Sequence, residues 1–162
     1  MPVPRQPVQV RTVAAGEPGW DDFVRLLDDY RAHYGRARDP VGLRRWLGQA
    51  AVPARVRCYL AEVAAHDGAT PPAAVGMALV GPSQATMTLS ELWSLRDLFV
   101  DADHRGAGVG RALVGRVRDD ATAAGASRLV LQTEHDNTVA LSLYRSLGFT
   151  DQHGYVPLSL AL

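Results

Sequence analysis

Arg105-Gly106-Ala107-Gly108-Val109-Gly110-Arg111 places three glycines within five positions. A largely apolar stretch, residues 95–100, stands before it, and Val109, Leu113 and Val117 follow at helical spacing. The pattern predicts a strand, a tight glycine-rich turn and the start of a helix. Such a turn brings bare backbone N–H groups against a ligand, and the helix dipole adds roughly half a positive charge at the same end. The expected ligand is an anion, and a diphosphate suits the geometry.

Two common diphosphate readers are excluded by what the chain lacks. A nucleoside triphosphate loop requires Gly-Lys-Ser/Thr, whereas the turn continues Gly110-Arg111-Ala112 and the chain contains no lysine. A dinucleotide fingerprint requires Gly-x-Gly-x-x-Gly. From Gly106 its third glycine position is Arg111, and from Gly108 it is Leu113.

Arg105-x-x-Gly108-x-Gly110, preceded by Asp97-Leu98-Phe99-Val100, instead fits Arg/Gln-x-x-Gly-x-Gly/Ala and resembles the GNAT superfamily of acyl-CoA-dependent N-acyltransferases. A second segment strengthens the resemblance. Asn137, Ala140, Tyr144, Gly148 and Phe149 match an Asn-x-x-Ala-x-x-Leu/Phe-Tyr-x-x-x-Gly-Phe element that follows a strand-like stretch over 128–134. The likeness is detailed over residues 92–151 and looser before them.

The resemblance implies an N-acetyltransferase that uses acetyl-CoA as co-substrate. By position, backbone groups of Arg105, Gly106, Ala107, Gly108, Val109, Gly110 and Arg111 would hold the coenzyme A pyrophosphate. Leu98, Phe99 and Val100 would pair with the pantetheine arm like an added strand, and Asn137 would contact it. Tyr144 stands where relatives place the acid that protonates the departing thiolate; a phenol with a pKa near 10 is protonated at neutral pH.

The base is where this chain departs from the pattern. Related sequences read Leu-Glu-Asp on this strand, and here the glutamate is replaced by Arg96. Strand alternation predicts that Asp97 faces away from Arg96. Asp97 is the first candidate, acting through water; Glu91 could reach from the strand start, or the amine could arrive neutral and need no base. Arg96 would repel cationic amines and favour an acceptor bearing a carboxylate. His135 is an outside candidate for proton handling, and His104 stands beside the turn. No histidine has metal-ligand spacing, so no metal is expected. Trp20, Tyr30, Tyr34 and Trp46 fall where the family builds its acceptor wall, although the two tryptophans read first as core.

Around these motifs the chain reads as one domain over 1–162, with residues 1–7 disordered. Strands are expected over 8–13, 56–64, 73–80, 91–100, 128–133 and 155–162. Helices are expected over 20–35, from Asp39-Pro40 to Leu47, over 108–124 and over 137–147. The expected order is β α α β β β α β α β β, an α/β fold whose mixed, mostly antiparallel sheet of about seven strands is flanked by about four helices. Pro157 is tolerable only near a strand edge.

Seventeen basic residues balance seventeen acidic ones, so no global field recommends nucleic acid or an anionic membrane as partner. No stretch approaches the roughly 18 apolar residues of a membrane span, and no signal peptide is read at the N-terminus. Cys58 stands alone and implies no internal disulfide. A cytoplasmic enzyme is expected, with a small-molecule amine as acceptor. Alternatives are an acyl-CoA-binding sensor without catalysis and an enzyme for protein or peptide amines. The apolar segment over 156–162 makes a homodimer plausible.

Overall fold

The computed structural model describes residues 7–49, 55–65, 70–154 and 157–161. They form two compact units, divided between Gln132 and Thr133.

The first unit runs β1 (Val8–Val13), α1 (Trp20–His33), α2 (Pro40–Leu47), β2 (Arg57–Val63), β3 (Ala73–Ala85), β4 (Ser90–Val100), α3 (Val109–Ala123) and β5 (Ala126–Leu131). Its five strands form one sheet in the order β1-β2-β3-β4-β5. The first three pairings are antiparallel, and β4 pairs with β5 in parallel. That last pairing requires a crossover, which α3 supplies.

Side-chain alternation sorts the strands into two faces. Cys58 and Leu60 of β2 and Met77 and Leu79 of β3 join Phe23, Leu27, Leu43 and Leu47 in one core with α1 and α2. On the other face lies α3, tied across the sheet by the Tyr59 hydroxyl, which donates to Asp120, and by Arg116, which donates to the Val10 carbonyl. The helices begin where local chemistry dictates. Asp39 accepts the Gly42 N–H at 2.7 Å and Pro40 occupies the first turn of α2. Asp21 and Asp22 stand at the positive end of α1, and Arg31 and His33 at its negative end.

Strand β3 runs five residues past the expected Val80, through Gly81 and Pro82. Its pairing with β2 stops at Val80, so Pro82 lies where β3 has β4 on one side only, the edge setting in which proline is tolerated. Strand β5 starts two residues earlier than expected, because Gly125 at φ +76° turns the chain directly out of α3.

The second unit contains α4 (Thr138–Ser146). Asn137 caps it by accepting the Ala140 N–H at 3.2 Å, and Gly148 at φ +93° ends it, with the Phe149 N–H returning to the Tyr144 carbonyl. The first nine elements thus follow the expected order, but among the described residues the sheet has five strands and not about seven. Residues 157–161 carry no strand, and two features act against one: Pro157 has no donor, and Gly154 at φ +89° leaves the extended region just before it. Tyr155, Val156 and Leu162 of the expected last strand lie outside the described residues, as do residues 1–6 of the expected disordered start. No helix among the described residues is long and apolar enough to cross a membrane.

Candidate active site

The glycine turn is built by the end of β4 and the start of α3. The Asp101 N–H donates to the Val75 carbonyl at 2.9 Å, and a short 3-10 turn over Ala102–His104, not foreseen in the sequence, redirects the chain. Gly106 and Gly108 then take φ +74° and +93°, and Gly108 caps α3. Left-handed values of this kind suit glycine. A Cβ at either position would meet no protein atom within 4 Å, so both glycines face open space. Behind the turn, Gly76 of β3 admits α3 closely: a Cβ there would stand 2.9 Å from Val109 Cγ1 and 3.0 Å from the Phe99 carbonyl oxygen. Arg105 folds back, its Nε donating to the Val100 carbonyl at 3.1 Å and its guanidinium 5.8 Å from the Phe99 ring. His104 Nδ1 is buried without a hydrogen-bond partner among the described residues.

Strand β4 changes character midway. Leu95 pairs with Val80 and Asp97 with Leu79, leaving Arg96 as an extra residue, a β-bulge. Pairing with β5 stops at Leu95. Residues 96–100 therefore pair only with β3 in the described ladders, and their outer edge presents backbone groups able to receive an extended ligand. This is the stretch where Leu98, Phe99 and Val100 are expected to meet the pantetheine.

The bulge corrects the expectation that Asp97 and Arg96 face opposite ways. A Cβ at Gly81 would fall within 3.0 Å of the Arg96 guanidinium, and residue 81 shares the face of Met77 and Leu79. Asp97, opposite Leu79, lies on that same face. The extra residue shifts the alternation by one, so both side chains reach the α1/α2 side. The sequence carries a faint signal for this: Trp93 and Leu95 occupy odd positions and Leu98 and Val100 even ones, a slip in phase across Arg96 and Asp97 that Leu92 and Phe99 blur.

Asp97 lines a cavity of about 400 Å³ together with Leu27, Tyr30, Arg31, Asp39, Gly42, Leu43, Trp46 and Leu79. Burial raises its carboxyl above the ordinary carboxylate value, partly opposed by a hydrogen bond from Tyr30 and by the charge of Arg96. The corner between α1 and α2 that shapes this cavity is pinned by Asp28. Its carboxylate, 5% exposed, accepts from Arg31 at 3.1 Å and from the Asp39 N–H at 3.0 Å.

Of the four aromatic residues expected on the acceptor wall, Tyr30 and Trp46 line the Asp97 cavity. Tyr34 is half exposed and packs its ring edge-on to Tyr30 at 5.1 Å. Trp20 lines a different cavity, with Val13, Leu47 and Cys58. Sequence reasoning missed Arg31 and Asp39 as lining residues, since Arg31 sits in no motif and Asp39 reads only as the cap of α2. Glu91, the alternative base, accepts the Trp93 indole N–H on one carboxylate oxygen at 2.8 Å and is not among the residues lining the Asp97 cavity. Asn137 and Tyr144 belong to the second unit. There Asn137 is the cap of α4, and the Tyr144 ring meets Phe149 edge-on at 5.7 Å. His135 is exposed in the same unit. Among the described residues no three His, Cys, Asp or Glu side chains gather into a metal site.

The geometry can be set beside known proteins. The profile of the acetyltransferase (GNAT) family matches residues 20–149. The uncharacterized N-acetyltransferase YhfO of Bacillus subtilis is 31% identical over 133 residues, 81% of this chain and 83% of that protein. The thialysine N-epsilon-acetyltransferase of Bos taurus is 29% identical over 149 residues, 89% and 85% of the two chains. A crystal structure of a probable acetyltransferase superposes with a TM-score of 0.82 at 23% identity, covering 95% of this chain and 97% of the other. A strand that loses its outer neighbour at a bulge, a glycine turn opening α3, and a profile match across 130 residues agree on one conclusion: this chain is a transferase of the GNAT acetyltransferase family.

Proposed function

We propose that the protein transfers the acetyl group of acetyl-CoA to a primary amine of a small molecule, by direct attack in a ternary complex. The observation that carries this reading is the dual role of β4. One strand brings Asp97 to the cavity, exposes the free edge of residues 96–100, and ends at the glycine turn. Amine and thioester would thus be held along a single rigid element.

Acetyl-CoA supplies the activated acyl group. Backbone N–H groups from Arg105 to Arg111 and the N-terminus of α3 bind its pyrophosphate, and the open Cβ positions of Gly106 and Gly108 leave room for it. The edge of Leu98, Phe99 and Val100 takes the pantetheine, assisted by Asn137, and a backbone N–H near Val100 polarises the carbonyl. The amine enters as ammonium and gives a proton to Asp97, directly or through water. The raised pKa of that carboxyl narrows its gap to the amine. The nitrogen then bonds to the carbonyl carbon and sheds its second proton to solvent, while the carbon–sulfur bond breaks. Tyr144 gives its phenolic proton to the departing thiolate and recovers one from water.

A small acceptor is favoured because a cavity of about 400 Å³ falls in the range of small-molecule sites, roughly 300–1,000 Å³. The test is release of coenzyme A thiol from acetyl-CoA against amino acids, monoamines, polyamines and short peptides, with calorimetric binding of acetyl-CoA on the same preparation. Acceptor-dependent release supports the reading. Tight binding with no turnover favours the sensor alternative, which the replacement of the family glutamate by Arg96 makes concrete.

A further inference from the structure

The chemistry of the Asp97 cavity narrows the acceptor beyond the proposed function, on which this step rests. A cavity selects by the polar groups it leaves available and by the surface it offers to the rest of the ligand. Of its two carboxylates, Asp39 is committed to capping α2 through the Gly42 N–H at 2.7 Å. Asp97 is the carboxylate positioned to meet an ammonium. The cationic groups nearby are Arg31, drawn to Asp28 at 3.1 Å, and Arg96, which the bulge puts on the same face as Asp97. Among the described residues that line the cavity, a second ammonium on the acceptor would meet the Arg31 guanidinium and, beyond Asp97, only Asp39, whose Oδ1 already caps α2.

The remaining wall is apolar. Leu43 and Leu79 form the packed side. At the helix α2 side stands Trp46, which lines the cavity and is 43% exposed, so part of its aromatic surface is open to a ligand. A hydroxyl-rich or polycationic body placed here would be stripped of water with few partners in return.

We infer that the acceptor is a monoamine carried on an apolar, preferably aromatic, carbon skeleton, with its single ammonium on Asp97 and its body against Trp46. Polyamines and aminosugars are rejected by Arg31 and Arg96.

The experiment compares 2-phenylethylamine with spermidine and kanamycin as acceptors, and titrates each calorimetrically into the protein without acetyl-CoA. Expected is a kcat/KM for 2-phenylethylamine at least about 10-fold above either polycation, in line with what one apolar contact surface can discriminate. Trp46→Ala should weaken 2-phenylethylamine binding by about 10-fold while leaving acetyl-CoA affinity unchanged. Arg96→Glu, at an exposed position that tolerates change, should raise spermidine turnover relative to 2-phenylethylamine. Better turnover of spermidine or kanamycin by the unmodified protein overturns the inference and leaves acetyl transfer standing. Binding of 2-phenylethylamine that depends on Trp46, with no acetyl transfer to any amine, sinks the proposed function and overturns the acceptor assignment with it, leaving a monoamine-binding cavity. Absence of 2-phenylethylamine binding overturns the inference outright.

Discussion

Burial pushes the Asp97 carboxyl above its ordinary range, against the opposing pulls of the Tyr30 hydroxyl and the Arg96 guanidinium. A carboxyl whose folded pKa exceeds its unfolded one binds more protons when folded, so its stabilising contribution is complete below the unfolded pKa. It is lost as pH rises through the folded pKa. Asp97→Asn removes this dependence. The variant should therefore gain in Tm relative to the unmodified protein as pH rises from about 4 to 7, and lose about 10²-fold in kcat/KM, the lower end for a proton-transfer group. Paired thermal melts and rates across that range check both. A Tm difference that does not change with pH, together with full activity, would falsify the base assignment. Gly108→Ala tests a second residue: its φ of +93° makes any side chain strained, at a cost of about 1 kcal/mol or more. With no protein atom within 4 Å of the added methyl, further loss of acetyl-CoA affinity would report the ligand itself. Much at this scale was legible. The glycine turn announces itself by type and spacing, and its left-handed φ values bear that out, but the shared face of Arg96 and Asp97 was not legible, because a bulge is one unpaired residue whose only trace is a slip in apolar phase.

Among the elements, the corner between α1 and α2 decides whether the cavity keeps its shape. Asp28 holds it by accepting from Arg31 and the Asp39 N–H, and Arg38 approaches its other oxygen at 3.8 Å. Truncation at Asp28 leaves a backbone N–H and a half-buried guanidinium unpaired. Asp28→Ala should cost about 2–4 kcal/mol in urea unfolding, near the lower bound for breaking a buried ion pair because both arginines remain solvated. Acceptor KM should rise at least about 5-fold, with acetyl-CoA affinity unchanged, since the glycine turn rests on β4 and α3. A rise in KM for both substrates would mean that the corner supports the whole unit. Helix boundaries here were readable from Asp39-Pro40 and Gly125, which are local signals. The Asp28 network was not: it joins residues 11 apart through a loop whose path no periodicity describes. The sequence likewise suggested a strand over 155–162, but a strand-like segment cannot supply its own pairing partner, and Pro157 withholds a donor.

At the scale of the whole molecule, the decisive question is whether the acetyl group ever rests on the protein. The chain holds one cysteine and no lysine, so the covalent carrier to consider first is the Cys58 thiol. That thiol is buried on β2 within the α1/α2 core, and burial pushes its pKa up to about 12. At pH 7.5 roughly one such thiol in 10⁴–10⁵ is ionised, and the thiolate is the nucleophile. Cys58 also lines a cavity bounded by Trp20, Val13 and Leu47, none of which touches the Asp97 cavity. Cys58 is thus a poor carrier, and under the proposed direct attack by the amine both substrates are present before coenzyme A leaves. Initial rates measured across acetyl-CoA and acceptor concentrations should give intersecting, not parallel, double-reciprocal lines. Intact mass after incubation with acetyl-CoA alone should show no acetyl adduct, and Cys58→Ala should keep kcat within about 2-fold while losing roughly 1 kcal/mol or more of stability to the small void it leaves. Parallel lines with an adduct on Cys58 would require the core around β2 to open during turnover and would replace the ternary complex with a two-step transfer.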